Sequence, residues 1–127
     1  NLEKVTSKHT FNLEKCITLQ SLIGGHLVSG HVDTTAEVVS TKTEGESKTF
    51  TFKINPKFTK YIIYKGSICI NGVSLTIVSV NTSTFKVSLI PHTLSQTNLG
   101  QLVVGDTVNI EVDLIAKYLE KLQKDRK

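Results

Sequence analysis

This chain of 127 residues lacks several features, and each absence argues against a class of protein or a kind of site. It contains no methionine and begins at Asn1, so we expect it to be part of a longer polypeptide. Its longest apolar runs are the size of Tyr61–Tyr64, far below the roughly 20 residues of a membrane-spanning helix. No signal peptide is expected at its start. These absences predict a soluble protein that has no membrane as a partner.

Cysteine is also scarce, because only Cys16 and Cys69 are present and they lie far apart. Without a CxxC motif or a Cys/His cluster, neither a disulfide framework nor a metal site is expected. Two isolated cysteines are typical of small buried residues in a reducing compartment, so we expect a cytoplasmic protein. The chain has neither a P-loop nor a GxGxxG motif, which disfavours a dinucleotide held by a phosphate cradle.

The net charge of +4 is concentrated at the end of the chain. The bases of this end are Lys117, Lys121, Lys124, Arg126 and Lys127. With two acids among them, the end carries +3, and the other 116 residues carry +1. A basic tail can bind nucleic acid, but it is more typical of a solvated helix end. No nucleic-acid motif accompanies it, so we do not expect a nucleic-acid partner.

Six short segments have the composition and alternation of β-strands. They are His31–Ser40, Thr49–Ile54, Ser67–Ile70, Val73–Val80, Phe85–Ile90 and Thr107–Asp113. Asn71-Gly72 separates the third from the fourth and is a strong signal for a two-residue hairpin turn. This pattern predicts a mainly β protein, either a small closed barrel or a sandwich.

Helical signals are few. Asn55-Pro56 predicts a capped short helix that runs through Tyr61, and Pro91–Gln96 predicts a helical turn. From Leu114 onward the apolar spacing becomes helical. Asp113 stands directly before that helix, where a carboxylate caps free amides, although a role as a base is also open.

The chain contains a weak internal repeat with a shift of 97 residues. The identical pairs are Asn1/Asn98, Leu2/Leu99, Thr10/Thr107, Asn12/Asn109 and Glu14/Glu111. The apolar positions between them also match. A unit of about a hundred residues is the size of a duplicated domain. We therefore expect the end of one copy followed by a complete second copy.

Two clusters of polar residues are candidates for chemistry. In GGHLVSGHVD, which spans residues 24–33, His26 is interpreted as a structural residue at a tight turn. His31 is interpreted as a strand residue, and whether its side chain faces a pocket is left open. Ser74 and Thr76 share one face of a strand, with Leu75 opposite. That face either meets a polar ligand or is exposed to solvent.

Several motifs together resemble the riboflavin synthase family. They are GGHLVSGHVD, YKGSICINGVSLT, SLIPHTLSQTNLG and GDTVNIEVDLIAKYLEKL. The resemblance implies a six-stranded antiparallel Greek-key barrel with short helices and a C-terminal α-helix. It implies the end of a truncated first barrel in residues 1–14, a lumazine-binding barrel in residues 15–113 and an oligomerisation helix in residues 114–127.

Family membership implies the dismutation of two molecules of 6,7-dimethyl-8-ribityllumazine. One molecule transfers a four-carbon unit to the other, which gives riboflavin and a ribitylamino-pyrimidinedione. The resemblance implies no metal and no organic cofactor. It also implies a homotrimer in which each active site lies between barrels of different subunits.

The resemblance also assigns site residues. His31, Ser74 and Asp113 are implied to handle protons or stabilise an adduct. The implied ligand contacts are Gly30, His31, Val32, Lys65, Ser74, Leu75, Thr76, Ile90, Pro91, His92, Thr93, Leu94 and Ser95. Asn71 stands where many members carry aspartate, which argues against an essential base there. A non-catalytic, antenna-type lumazine protein is the main alternative function.

Overall fold

The computed structural model describes residue 6 and residues 9–125. Six strands are present: β1 (Thr34–Glu44), β2 (Ser47–Ile54), β3 (Ser67–Ile70), β4 (Val73–Val80), β5 (Thr84–Leu89) and β6 (Thr107–Val112). The α-helices are α1 (Pro91–Gln96) and α2 (Leu114–Lys124), and Pro56–Tyr61 and Asn98–Gln101 form 3₁₀ helices. No described helix is both long enough and apolar enough to cross a membrane.

The strands close into an antiparallel barrel in the order β1-β2-β5-β4-β3-β6. β1 closes the barrel by pairing with β6, for example through Thr34 and Ile110. The predicted barrel is therefore confirmed, and the sandwich left open by the strand pattern is excluded. Closure leaves the sheet with no unpaired edge, and it divides every strand into an interior and an outer face.

Alternating apolar side chains fill the barrel interior. Phe50 and Phe52 of β2 stack on one another, and Phe52 stacks on Phe85 of β5, with ring centroids 6.1 and 5.3 Å apart. All three rings are buried. Because the inward positions are occupied by hydrocarbon, the polar side chains of the same strands lie on the outer face.

The predicted hairpin at Asn71-Gly72 is confirmed. β3 ends at Ile70 and β4 begins at Val73, so two residues make the turn. Asn71 and Gly72 both have positive φ, 48° and 84°, as the two-residue turn with matching twist requires. This turn fixes the β3–β4 register on which the candidate site depends.

The first strand begins later than predicted. β1 starts at Thr34, so the interpretation of His31 as a strand residue is wrong. Gly30 has a left-handed φ of 80°, which breaks an extended run. A side-chain oxygen of Asp33 accepts a hydrogen bond from the Val112 N–H at 2.9 Å. These two features hold the segment before β1 as a loop, where residue preferences alone favoured a strand.

Both predicted caps are confirmed. The Asn55 side chain accepts from the Lys57 N–H at the start of the first 3₁₀ helix, which ends at Tyr61. Asp113 accepts from the Ile115 N–H at 2.9 Å at the start of α2. Arg126 and Lys127 of the predicted terminal helix lie outside the described residues.

A segment that precedes the barrel is tied to it by amide side chains. The Asn12 side chain donates to the Asn71 carbonyl at 2.8 Å and to Asn98 Oδ1 at 2.9 Å. In return, the Asn98 N–H donates to Asn12 Oδ1 at 2.8 Å. The predicted division of the chain at residues 14 and 113 stays a prediction, and Asn1 and Leu2 of the repeat lie outside the described residues.

Candidate functional site

Three side chains form a row across the outer face of neighbouring strands. Cys69 on β3 pairs in register with Ser74 on β4 and with Glu111 on β6. Residues directly opposite in an antiparallel pair project from the same face. We call Ser74, Cys69 and Glu111 the polar row. Their strand neighbours, such as Ile68 and Ile110, are buried in the core, so the row points out of the barrel.

The loop before β1 covers one end of the polar row through Glu111. The carboxylate of this residue accepts from the Ser29 N–H at 2.7 Å, the Ser29 hydroxyl at 2.8 Å and the Gly30 N–H at 2.9 Å. Glu111 is only 6% exposed, and a buried carboxylate needs such donors to offset its lost hydration. The bonds set the position of the loop that carries His31.

The same loop reaches the other end of the row through His26. Its Nδ1 lies 2.6 Å from Ser74 Oγ, so residues 48 positions apart in the chain are joined. Gly25 has a φ of 85°, and a Cβ there would overlap the Ser74 side chain. A glycine is needed at this position for both reasons.

Cys69 lies between Ser74 and Glu111 in the polar row, and its thiol is unreactive at neutral pH. Burial, reinforced by the charge of the Glu111 carboxylate, raises the pKa of the Cys69 thiol to about 11. Because the thiolate is the reactive form, this cysteine is not a nucleophile at neutral pH. Cys16, in contrast, is exposed.

A second row runs parallel to the first, two residues further along the strands. Thr76 pairs with Ser67, and Asp113 follows two residues after Glu111. Thr76 is exposed, and Asp113 is half-buried. Lys65 lies next to this row, since its N–H donates to the Ile77 carbonyl at 2.9 Å. The structure therefore brings several of the predicted site residues to one face, and that face is the outer one.

Leu75 does not share this face. Its side chain packs against the hydrophobic core, so only its main chain borders the outer surface.

The Ile90–Ser95 segment contains both exposed and core-packed side chains. Ile90 is exposed, whereas Leu94 packs against the core. The Thr93 carbonyl accepts from the Thr97 hydroxyl at 2.7 Å, and the Ser95 hydroxyl donates to the His92 carbonyl at 2.9 Å.

Two grooves flank the loop that covers the polar row. The smaller has a volume of about 320 Å³ and is lined by Cys69, Glu111, Gly30 and Val32, among others. The larger has a volume of about 790 Å³ and is lined by His26, Ser74, Gly30 and Thr97, among others. Both volumes are in the range of small-molecule sites.

The predicted ligand residues divide between grooves and open surface. Gly30 lines both grooves, Val32 the smaller and Ser74 the larger. The other predicted residues line neither groove; of these, His31, Lys65 and Thr76 are exposed. Within the described part of the chain, no group of three or more metal-ligating side chains is present.

Sequence reasoning missed Glu111 and interpreted His26 as structural only. Strand alternation alone marked Glu111 as an ordinary exposed residue. The only sequence signal for it was its match with Glu14 in the repeat. For His26 the only local signal was the pair of glycines before it. Its partner Ser74 lies on another strand, which no local pattern could identify.

The chain is thus a closed six-stranded barrel that carries polar rows and two grooves on its outer face. A family model described as the lumazine binding domain matches residues 29–113. The chain belongs to the lumazine-binding domain family.

Curated relatives are riboflavin synthases. That of Schizosaccharomyces pombe is 46% identical over 123 residues, which cover 96% of this chain and 59% of the relative. That of Bacillus subtilis is 41% identical over 119 residues, which cover 94% of this chain and 55% of the relative. The chain thus spans little more than half the length of these relatives, and the predicted resemblance is confirmed.

Solved structures of LumP are also similar. One is complexed with 6,7-dimethyl-8-(1'-D-ribityl) lumazine and matches with a TM-score of 0.64 at 27% identity. Another is complexed with riboflavin and matches with a TM-score of 0.65 at 31% identity. The matches cover 76% and 72% of this chain, and 51% and 50% of the LumP chains.

Proposed function

We propose that this chain supplies one lumazine site of a riboflavin synthase. The reaction is the dismutation of two molecules of 6,7-dimethyl-8-ribityllumazine. The four carbons that one molecule loses become part of the new ring of riboflavin, and the donor is left as 5-amino-6-ribitylamino-pyrimidinedione. All atoms are conserved between the two substrates and the two products, so the reaction needs neither an oxidant nor a cofactor.

The observation that carries this proposal is the polar outer face of β4 in a chain similar to riboflavin synthases over most of its length. Ser74 and Thr76 present hydroxyls there that suit the carbonyl and ribityl groups of a lumazine. Lys65 adds a positive charge beside them. His31 and Asp113 are the proposed proton-handling groups, and Ser74 is proposed to stabilise an adduct.

The openness of this face fits a site that a second subunit completes. His31, Lys65 and Thr76 are exposed in the single chain, where water would compete for every hydrogen bond. α2 also presents apolar residues to solvent, with Ile115, Tyr118 and Leu122 each at least 60% exposed. Helix α2 is proposed to pack against its counterparts in a homotrimer. Because both cysteines are free thiols, the proposed location is the cytoplasm.

Titration of the chain with riboflavin, followed by quenching of flavin fluorescence, tests the binding part of the proposal. We expect saturable binding, weakened about tenfold by Thr76→Val, as expected for loss of one hydrogen bond. Thr43→Val, at an exposed position far along β1, is the matched control and should bind as the parent does. Absence of saturable binding at millimolar riboflavin would contradict the proposal.

A non-catalytic lumazine-binding protein is the second candidate, because the similar LumP chains are seen in complex with a lumazine or with riboflavin. The two candidates differ in turnover. Conversion of the lumazine to riboflavin by a protein that contains this barrel together with a preceding barrel supports the enzyme. Tight binding without any product under the same conditions supports the second candidate.

A further inference from the structure

Helix α2 is tied to the rest of the chain by ion pairs rather than by a buried apolar face. None of the residues Leu114–Lys124 that form this helix is buried. Glu120 pairs with Lys60, and Lys117 Nζ lies 2.6 Å from Asp33 Oδ1. Lys117 and Glu120 are three positions apart, so they lie on the same side of the helix. The second pair concerns the site, because Asp33 belongs to the loop before β1.

Asp33 joins the end of that loop to β6 and to α2. Its N–H donates to the Ile110 carbonyl at 2.8 Å, and its Oδ2 accepts from the Val112 N–H at 2.9 Å. Because Lys117 contacts the other oxygen, a single carboxylate connects the last strand to the helix. Both members of the ion pair are half-buried, where solvent and salt screen their attraction less than at an open surface.

The two residues before Asp33 are held at both ends. On one side Gly30 donates its N–H to Glu111 on β6, and on the other side Asp33 is bonded to β6 and to α2. Only His31 and Val32 lie between these anchors, and both are proposed to contact the ligand. Val32 also lines the smaller groove. A shift of Asp33 is therefore passed directly to two residues of the proposed site.

We propose that Asp33 is a positioning residue that couples helix α2 to the ligand site. With α2 docked, Lys117 holds the Asp33 carboxylate, and His31 and Val32 keep the geometry that binds a lumazine or a flavin. With α2 undocked, the carboxylate loses its ionic partner and these two residues loosen. Because coupling between two sites is reciprocal, a bound ligand stabilises the docked helix to the same extent. This inference rests on the proposed function, and it links assembly through α2 to occupancy of the site.

Hydrogen exchange of the α2 amides, measured with and without riboflavin, tests the coupling in the parent chain. A helix held by ion pairs exchanges its amides through local undocking rather than through unfolding of the barrel. We expect saturating riboflavin to slow the exchange of residues 117–124 about threefold, which is the size expected for one ion pair near the surface. An unchanged exchange rate in the riboflavin-saturated chain would overturn the proposal.

Two substitutions remove the ion pair from opposite sides. In Lys117→Met the length of the stem is kept without the charge, and in Asp33→Asn an oxygen remains that accepts from the Val112 N–H. We expect each to weaken riboflavin affinity about threefold and to abolish the effect of riboflavin on α2 exchange. Lys121→Met, which removes the exposed pair with Asp125 on the same helix, is the control and should leave both intact.

A double-mutant cycle shows whether the two residues act together. If they do, Asp33→Asn costs no further affinity in the Lys117→Met background. Additive losses would overturn the proposal while leaving riboflavin binding, and thus the proposed function, intact. Absence of riboflavin binding by the parent chain would overturn the proposed function and this proposal together.

The ligand-free chain provides a readout that separates positioning from general stability. The backbone amide signals of His31 and Val32 should shift in Lys117→Met and stay in place in Lys121→Met, because Lys117 contacts the loop and Lys121 pairs within the helix. Signals of His31 and Val32 that stay in place in Lys117→Met would overturn the proposal, whatever the variant does to unfolding.

Discussion

Ser29 donates both its N–H and its hydroxyl to the same carboxylate oxygen of Glu111, at 2.7 and 2.8 Å. The second oxygen accepts from the Gly30 N–H. Glu111 belongs to the rigid barrel, and the loop it holds has no helix or strand of its own. This carboxylate therefore holds the two loop residues that directly precede His31.

Glu111→Gln should loosen that loop. An amide group turns an N–H toward donors that were aimed at a carboxylate oxygen, so at least one of the three bonds is lost. Because charge-assisted bonds are involved, we expect the free energy of unfolding to fall by about 1.5–3 kcal/mol. Urea denaturation measures this loss, and the backbone amide signals of Ser29 and Gly30 should shift most.

Asp106→Asn is the matched control for Glu111→Gln. Asp106 also accepts a loop N–H, that of Val103 at 2.8 Å, but this bond is exposed. We expect a loss of less than about 1 kcal/mol there. Equal effects of the two substitutions would contradict the role of Glu111 in holding the loop.

Ser74→Ala should destabilise the chain even without a ligand. It leaves both nitrogens of the partly buried His26 ring unpaired, which costs about 1–3 kcal/mol. Ser88→Ala removes only a 3.3 Å bond between exposed hydroxyls of Thr49 and Ser88, and should cost less than about 0.5 kcal/mol. Thermal or urea unfolding of both variants checks this, and a stability of Ser74→Ala equal to that of the parent would show that the His26 bond contributes nothing.

The two cysteines should differ in reactivity. With the pKa of Cys69 raised to about 11 by burial and by Glu111, a thiol reagent at pH 8 should modify Cys16 and spare Cys69. Cys16→Ser leaves Cys69 as the only thiol, so labelling of that variant reports on Cys69 alone. Rapid labelling of folded Cys16→Ser at pH 8 would contradict the prediction.

Cys69 also makes stability depend on pH in the alkaline range. Its pKa is higher in the folded state than the ordinary value of 9.0, so the unfolded chain releases this proton first. The contribution to stability is complete below pH 9 and is lost as the pH rises toward 11. Unfolding free energies of parent and Cys69→Ala, measured from pH 8 to pH 10.5, should show a steeper fall for the parent.

Helix α2 should loosen from the barrel in acid. Lys60, at the first 3₁₀ helix, pairs with Glu120 at 2.5 Å, and Lys124 pairs with it at 3.0 Å. These partners lower the pKa of Glu120, Lys60 first. The pairing therefore stabilises the docked helix above pH 4.5 and is lost as the pH falls through the lowered pKa. Carbon-13 shifts of the α2 residues around Glu120 should report the change, and Glu120→Gln should reduce their pH dependence.

Much of the barrel was predictable because it depends on short-range rules. The two positive φ angles of Asn71-Gly72 follow from the residue types, and the alternation on either side defines β3 and β4 to the residue. The same is true of α2, whose cap at Asp113 and apolar spacing are both local. The start of β1 was predicted wrongly because the local preference at His31 competes with distant hydrogen bonds, which the carboxylates of Asp33 and Glu111 accept from backbone N–H groups.

The sequence by itself determined the number of strands, the hairpin, the helix caps and the residue types available for a site. Only the tertiary structure decided that Ser74 and Thr76 point outward, that Ser74, Cys69 and Glu111 form one row, and that His26 reaches Ser74. The physical reason is separation along the chain. The bonds that build the site join residues 48 and 82 positions apart, and only barrel closure brings such partners within hydrogen-bond distance.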